Sequence, residues 1–499
     1  MKFKGGRRYG LQDIFYALTP CSIKQLNEIQ QFSATLESSY TMGKNIGFVS
    51  TRFAGIDGVT LEASKWAAVF EKNGFNCFWF AGELDRDSDK SFLVPEAHFQ
   101  HEQNRWINAQ VMGSKVRTPS VTQAIHDLRS LLKVHLHEFI DHFDIDLLIA
   151  ENVLTIPMHI PLGLALTETI AETQIPTIAH NHDFYWERVR FSINAVSDYL
   201  SMAFPPRLPN IKHVVINSEA QEQLALRTGV SSIIIPNVLD FESPPVLDDD
   251  GARVFRESIG LEPDDRMILQ PTRIVQRKGI EHAIELVKKL KDSRNKLVVS
   301  HEAGDEGFEY VEWLKEYAHE HEVNLRLVTT RIADPWSNNG NGQAEYSLWD
   351  VYPFADFITY PSLYEGFGNA FLEAVYFKKP VLINRYATFV RDIEPQGFDL
   401  AVMDGFLTGK TVRNVIEILE SSERREKMVN YNYEVAARHY SYAILRTRLN
   451  AIMNYFFGNS VKQLTGKSSF PEDVDYLNVE SQKILHKHFD SRNSHTQSS

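Results

Sequence analysis

The sequence predicts an α/β fold made of two doubly wound domains, and three observations support this prediction. Strand-like runs and helical patterns alternate from residue 45 to about residue 438, as they do in βαβ units with parallel sheets. Two of these runs, residues 46–50 and 354–360, are each followed by glycines and then by a helical pattern. The 499 residues are enough for at least two domains with their own cores.

Composition excludes several classes of protein. Hydrophobic residues make up 43% and charged residues 23% of the chain, as in ordinary soluble globular proteins. The net charge of -13 argues against nucleic acid as a partner, because nucleic-acid binding needs a basic face. The two cysteines, Cys21 and Cys77, make a disulfide framework improbable. No apolar stretch approaches the roughly 20 residues of a membrane span, and no signal core follows the basic N-terminus. We therefore expect a cytoplasmic protein without stable membrane insertion.

The first domain is predicted to span residues 44–240. Residues 1–43 are predicted to be an N-terminal extension packed on it, with a basic amphipathic membrane anchor as the alternative. The first strand is followed by a loop that contains Gly55, Asp57 and Gly58. This loop lies at the carboxyl end of the strand, where open α/β sheets bind ligands. Residues 85–120 are polar without a clear period and are predicted to be an insertion over the cleft or at a sheet edge.

Polar residues cluster after a predicted strand at residues 176–179. His180 and His182 are separated by one residue and could be metal ligands, but no third ligand at a known zinc spacing is near them in the sequence. We therefore predict a hydrogen-bonded loop and no metal site. Arg188 and Arg190 either meet an anionic ligand or pair with Glu187.

The second domain is predicted to span residues 241–439, followed by a long amphipathic helix at 440–457 and a polar tail at 458–499. Arg273 and Lys278 follow its first strand and precede a helix. An exposed basic loop is one interpretation. The other is that the two charges converge on one anion, because arginine and lysine suit phosphate oxygens.

A glycine loop between a strand and a helix is the most informative motif. Gly366 and Gly368 let the backbone approach a ligand closely, and the first amides of the following helix form a ready anion site. Glu365 and Glu373 flank this loop, so one carboxylate could hold a hydroxyl-rich ligand and the other a ribose. On spacing alone, a tight connection without a ligand is the alternative.

Residues 361–374 resemble the E-x7-E signature of retaining glycosyltransferases of family 4. The resemblance covers about residues 44–457, and its most specific motifs lie in 268–282 and 361–374. It implies the GT-B fold, in which two Rossmann-like doubly wound domains face a central cleft and the helix at 440–457 crosses back to the first domain. It also implies transfer of a hexose, with retention, from a nucleotide-diphosphate sugar such as GDP-mannose or UDP-glucose. No cofactor or metal is then required.

The resemblance implies roles for individual residues. Arg273 and Lys278 would neutralise the leaving diphosphate in place of a metal ion, Glu365 would hold sugar hydroxyls, and His182, with His180 as the fallback, would face the hexose near its reacting carbon. The expected donor-binding residues are Gly58, Arg331, Ile332, Gly366, Phe367, Gly368, Asn369 and Glu373, the last of these at the ribose. The expected acceptor-binding residues are Gly55, Asp57 and Arg188.

We expect a small acceptor, which can be anionic, such as a glycoside or a phosphoglycerate derivative. Residues 151–191 and 384–398 also resemble synthases of compatible-solute glycosides such as mannosylglucosyl-phosphoglycerate. A lipid-linked or polysaccharide acceptor is the alternative within the class. A GT-B nucleotide-sugar 2-epimerase would turn over without an acceptor. A non-catalytic binder of sugar nucleotides is the third alternative, and it would not need the full set of charged residues.

Overall fold

A computed structural model describes residues 44–55, 57–244, 249–300, 308–328, 348–458 and 463–466. The predicted N-terminal extension, residues 1–43, lies outside the described residues, as does most of the predicted tail.

The first sheet has seven parallel strands in the order β3-β2-β1-β4-β5-β6-β7. The central strands are buried on both faces, which explains their continuous apolar runs. The strands are β1 (Asn45–Val49), β2 (Asn76–Ala81), β3 (Ser91–Leu93), β4 (Leu147–Glu151), β5 (Thr177–Asn181), β6 (Ile211–Val215) and β7 (Ser232–Ile234).

In the part of the chain that the structure describes, six α-helices accompany this sheet. They are α1 (Gly58–Lys72), α2 (Glu102–Val111), α3 (Pro119–His142), α4 (Ile160–Thr173), α5 (Ser197–Ala203) and α6 (Ser218–Thr228). Strand β3 and helix α2 lie in the region 85–120, for which no regular element was predicted. The reason is that α2 buries only Asn104, Ile107 and Val111, a stripe too short to stand out in a polar sequence.

The second sheet has six parallel strands in the order β10-β9-β8-β11-β12-β13. They are β8 (Arg266–Gln270), β9 (Asn295–Val299), β10 (Leu325–Leu327), β11 (Phe357–Tyr360), β12 (Val381–Asn384) and β13 (Ala401–Met403). The helices of this part are α7 (Asp249–Ser258), α8 (Ile280–Leu290), α9 (Phe308–Glu320), α10 (Leu348–Val351), α11 (Asn369–Tyr376), α12 (Gly409–Glu420) and α13 (Ser422–His439).

The two sheets share one strand order, in which the third, second and first strands are followed by the fourth, fifth and sixth. In such sheets the connections change direction between the first and fourth strands, and ligands bind outside the carboxyl ends of the strands at this switch point. The switch points are therefore β1/β4 in the first sheet and β8/β11 in the second. This confirms the predicted fold class.

The last described helix, α14 (Tyr442–Phe457), follows the second sheet in the chain but packs in the core of the first. Leu445, Leu449 and Met453 are buried in one cluster with Phe48 of β1 and Trp66 of α1. Among the described residues, no helix is both long enough and apolar enough to cross a bilayer.

Candidate active site

The glycine loop after β11 has a conformation that only glycine adopts easily at one position. Gly368 has a φ of 118°, and a Cβ atom there would lie 2.4 Å from the hydroxyl oxygen of Tyr386. That hydroxyl donates to the carbonyl oxygen of Phe367 at 2.8 Å, which fixes the loop. Helix α11 begins at the next residue, Asn369. Because Gly368 has no side chain to cap the helix, the first amides of α11 can bind an anion.

The loops after β8 and β11 pack directly against each other. Gly279, with a φ of 61°, lies so close to Pro361 that a Cβ atom would be 2.6 Å from the Pro361 carbonyl oxygen. The amide of Leu363 donates to the carbonyl oxygen of Arg277 at 2.8 Å. This packing joins the two loops of the second switch point into one unit.

Lys278 and Glu365 meet within this unit. The Nζ atom of Lys278 donates to Oε1 of Glu365, and Arg277 donates to Oε2 at 3.1 Å. Burial lowers the pKa of Lys278, against the attraction of Glu365. Burial would raise the pKa of Glu365, but Lys278 and Arg277 outweigh it and hold the pKa below its usual value. Arg273 is exposed, and its charge also lowers the pKa of Lys278. Two cations, Lys278 and Arg277, thus bond one buried carboxylate, and Arg273 acts on Lys278 through its charge.

Glu373 lies one turn into α11. Its Oε2 atom accepts a hydrogen bond from the hydroxyl of Tyr352 at 2.7 Å. Burial raises the pKa of Glu373, against the hydrogen bond from Tyr352 and the positive charge of Lys65. Since Lys65 belongs to α1, this carboxylate lies at the boundary of the two domains.

A cluster of two histidines and a glutamate occupies the first switch point. Glu151 ends β4 and is the register partner of His180 in β5, so their side chains share one face of the sheet. His182, two residues further, returns to that face. Nδ1 of His180 lies 3.0 Å from Oε2 of Glu151, and Nε2 of His182 lies 3.4 Å from the same oxygen. Asn152 supports the cluster, because its Oδ1 atom accepts a hydrogen bond from the backbone amide of His182 at 3.1 Å.

The three side chains could also hold a metal ion by geometry, because their ligand atoms lie within 4.8 Å of one another. No third ligand is near the two histidines in the sequence, but the pairing of β4 with β5 brings Glu151 to them from 29 residues away. Their hydrogen bonds to one another are the alternative to a metal.

The two switch points face each other across the domain boundary. A side-chain N–H of Asn217 donates to the carbonyl oxygen of Gly366 at 2.6 Å, and a Cβ atom on Gly366 would lie 3.8 Å from the carbonyl oxygen of His182. A Cβ atom on Gly58 would lie 3.8 Å from Nδ2 of Asn369. The predicted residues Gly58, His182, Gly366 and Asn369 therefore surround one cleft.

The expected acceptor residues of the β1 loop are held by local bonds. The amide of Gly55 donates to Asp85 at 2.8 Å. Asp57 caps α1 by accepting the amides of Val59 and Thr60, and it also binds Arg52 at 3.0 Å. Arg52 was not identified from the sequence, although it directly follows the first strand. It is the cation of this loop that could meet an anionic ligand.

Arg188 pairs with Asp183, whose Oδ2 atom lies 2.6 Å from Nε of the arginine. For Arg188, the alternative pairing with Glu187 is wrong, and Glu187 instead accepts hydrogen bonds from the amide of Phe184 and the hydroxyl of Tyr364. Two expected donor residues, Arg331 and Ile332, lie outside the described part of the chain.

Sequence similarity places the chain among known enzymes. A family model described as glycosyl transferases group 1 matches residues 252–435. Mannosylglucosylglycerate synthase of Petrotoga mobilis is 34% identical over 384 residues, or 71% of this chain and 85% of that protein. The enzyme of the same name from Thermotoga maritima is 30% identical over 427 residues, or 79% of this chain and 96% of that protein. Mannosylglucosyl-3-phosphoglycerate synthase of Petrotoga mobilis is 24% identical over 274 residues, or half of that protein.

Solved structures with a similar fold include a glycosyltransferase and a protein bound to UDP and glucose. A glycosyltransferase of Rickettsia africae superposes with a TM-score of 0.60 at 15% identity, covering 84% of this chain and 100% of that one. The Anabaena protein HepE, in complex with UDP and glucose, superposes with a TM-score of 0.56 at 13% identity, covering 83% and 100%. These matches cover both sheets and agree with two parallel-sheet domains facing one cleft.

Proposed function

The chain belongs to the group 1 glycosyltransferases, and from that premise we propose that it transfers mannose from a nucleotide-diphosphate mannose to glucosylglycerate, with retention of configuration. The chain is a hexosyltransferase with the GT-B fold, and enzymes of this kind use a nucleotide-sugar donor and a sugar acceptor. The observation that carries the finer assignment is the match along 85% and 96% of two relatives that are both named mannosylglucosylglycerate synthase.

The donor diphosphate is proposed to bind between Arg273, Lys278 and the first amides of α11. Leaving-group charge is the largest electrostatic demand of the reaction, and fixed cations and amides in a dry site answer it. Lys278 supports this role because it is buried beside the glycine loop, with its ammonium already held by Glu365. With these cations in place, no metal ion or cofactor is required.

The donor sugar is proposed to lie between Glu365 on one side of the cleft and His182 on the other. The bond from the anomeric carbon to the diphosphate breaks with its electron pair leaving on the phosphate oxygen. The acceptor hydroxyl then bonds to the same face of the sugar and gives its proton to the departing phosphate. Glu373 would hold the ribose, and closure of the two domains would exclude water.

An acceptor that carries a glycerate carboxylate needs a cation. Arg52 and Arg188 are candidates on the first domain, and each already neutralises a carboxylate, Asp57 and Asp183 respectively. The acceptor's carboxylate would therefore compete with these aspartates for the guanidinium groups. The phosphorylated acceptor is the weaker candidate, because the relative named for it is matched over only half its length.

A donor and acceptor panel tests the proposal. GDP-mannose, UDP-glucose and ADP-glucose are each combined with glucosylglycerate, glucosyl-3-phosphoglycerate or no acceptor, and nucleotide release is measured. We expect release with GDP-mannose and glucosylglycerate, and an NMR spectrum of the product that shows a retained anomeric configuration. Equal release without acceptor would indicate a 2-epimerase instead. Lys278→Ala tests whether turnover depends on the proposed diphosphate site, and we expect it to be slower than the wild type. An unchanged rate in this variant would contradict the donor assignment.

A further inference from the structure

The cluster at the first switch point contains a buried carboxylate that has no part in the proposed binding of donor or acceptor. Glu151 has no exposed surface, and its charge is enclosed between β4 and β5. A buried carboxylate is costly unless bonded partners surround it. Its partners here are His180 and His182, and His182 also borders the cleft, since its carbonyl oxygen would lie 3.8 Å from a Cβ atom on Gly366.

The two histidines differ in their surroundings. His180 is enclosed, with its ring stacked on Trp66 at 4.2 Å, and burial lowers its pKa. Burial alone would lower the pKa of His182 as well, but the hydrogen bond and the negative charge of Glu151 raise it above its usual value. The pKa of Glu151 is held below its usual value, because the histidines outweigh the effect of burial. Of the two histidines, His182 is therefore the one whose protonated form Glu151 favours over the effect of burial.

We propose that Glu151 is a positioning residue, which holds the Nε2 side of the His182 ring and keeps the ring protonated, so that Nδ1 offers an N–H to an oxygen of the donor. A neutral His182 that donates Nε2–H to Glu151 would have only a lone pair on Nδ1. A protonated His182 donates through both nitrogens. The positive charge of the protonated His182 is balanced by the carboxylate of Glu151. The two side chains together therefore place no net positive charge beside the sugar, which itself becomes positive in an oxocarbenium-like transition state. The proposal rests on the proposed role of His182 at the donor hexose.

The charged groups that face His182 come from three elements. Glu151 belongs to β4, His180 belongs to β5, and Asp183 follows β5. Glu62 of α1 is buried and also acts on His182 through its charge, with Lys65 bonded to it. Of the three carboxylates, Glu151 is the one with a hydrogen bond to the ring. Glu62 is therefore a matched control, since it supplies similar charge without the bond.

Glu151→Gln removes the charge and keeps the size of the side chain. Because each unit of pKa is a factor of about ten, a lower pKa of His182 should cost activity mainly at alkaline pH. We expect kcat/KM to fall with rising pH in both enzymes, with the midpoint of the fall at least one pH unit lower in Glu151→Gln than in the wild type. The loss should be about tenfold or more at pH 8 and should shrink towards pH 5.5. Glu62→Gln should shift the midpoint of this pH profile less than Glu151→Gln does. Glu151→Asp keeps the charge and should bring the midpoint part of the way back to the wild-type pH.

A titration that needs no substrate separates this proposal from the proposed function. The Cε1–H resonance of His182, assigned by its loss in His182→Asn, is followed with pH in the wild type and in Glu151→Gln. We expect a pKa above 6.5 in the wild type and a lower one in the variant, with the thermal midpoint within a few degrees. An unchanged His182 pKa would overturn the proposal, as would equal loss of activity at every pH.

A metal assay covers the competing explanation of the same geometry. The zinc content of the purified wild type and of Glu151→Gln is measured before and after chelation. We expect no stoichiometric metal and no effect of the chelator on activity. One zinc per chain, lost in Glu151→Gln together with activity, would make Glu151 a metal ligand and would overturn the proposal.

Discussion

Replacing Lys278 with methionine tests the buried charge pair of the second domain. The side chains of Lys278 and Glu365 are 10% and 9% exposed, so solvent screens their interaction little. Breaking such a pair costs about 3–5 kcal/mol, mainly because the remaining charge is buried without its partner. Arg277 still bonds Glu365 from a side chain that is 43% exposed, so we expect the lower end, about 3 kcal/mol.

The double variant Lys278→Met with Glu365→Gln should recover most of this loss, since no unpaired charge then remains. Urea unfolding of the wild type, both single variants and the double variant gives the coupling free energy. Lys379→Met is the control, because Lys379 is a half-buried lysine of the same domain that donates to the carbonyl oxygen of Pro353 at 2.6 Å. Glu365→Gln should not rescue that variant. If Lys278→Met were as stable as the wild type, the buried pair would not exist in solution.

Activity should respond differently from stability. Lys278→Met should lower kcat by about a hundredfold to a thousandfold, as expected for one lost group that stabilises developing negative charge. The double variant should stay equally slow although it is stable again. Recovery of activity along with stability would mean that Lys278 only supports the fold.

Three further predictions concern single residues around the cleft. Burial raises the pKa of Glu373, so the stability that this side chain contributes is complete below pH 4.5 and is lost as the pH rises through the raised pKa. The variant Glu373→Gln should keep the hydrogen bond from Tyr352 and should therefore melt at a higher temperature than the wild type at pH 7.5. It should also raise the KM for the donor about tenfold. Gly58→Ala places a methyl 3.8 Å from Asn369 without a clash, so thermal melting should be unchanged while the donor KM rises; an unchanged donor KM would remove Gly58 from the donor site. Arg188→Ala should raise KM for glucosylglycerate more than for neutral glucosylglycerol, and an equal change in steady-state kinetics would contradict a role at the carboxylate.

The fold class could be predicted because its signals are local. Alternating apolar runs, glycines at helix ends and polar residues at strand tips each occupy a few neighbouring positions in the chain. The glycine loop belongs to this group, and the backbone of Gly368 explains the motif, since its positive φ and contact with Tyr386 leave no room for a side chain.

The contacts between distant residues could not be predicted. Lys278 and Glu365 were each expected at the donor, but their direct bond depends on how Gly279 packs on Pro361. The contact between Glu151 and His182 requires the pairing of β4 with β5, so no local pattern around Glu151 predicts it. Such contacts depend on which strands become neighbours in the sheet, and local sequence patterns do not specify this order.

The shared strand order of the two sheets explains why the site is divided between them. Each sheet offers its ligand edge at the same switch point, so two such edges that face each other enclose a ligand from both sides. In the proposed site, the second domain contributes the cations of Arg273 and Lys278 for the diphosphate, and the first contributes the pair of Glu151 and His182 for the sugar. The hydrogen bond from Asn217 to the glycine loop joins the two domains, and we expect closure at this contact to assemble the proposed site.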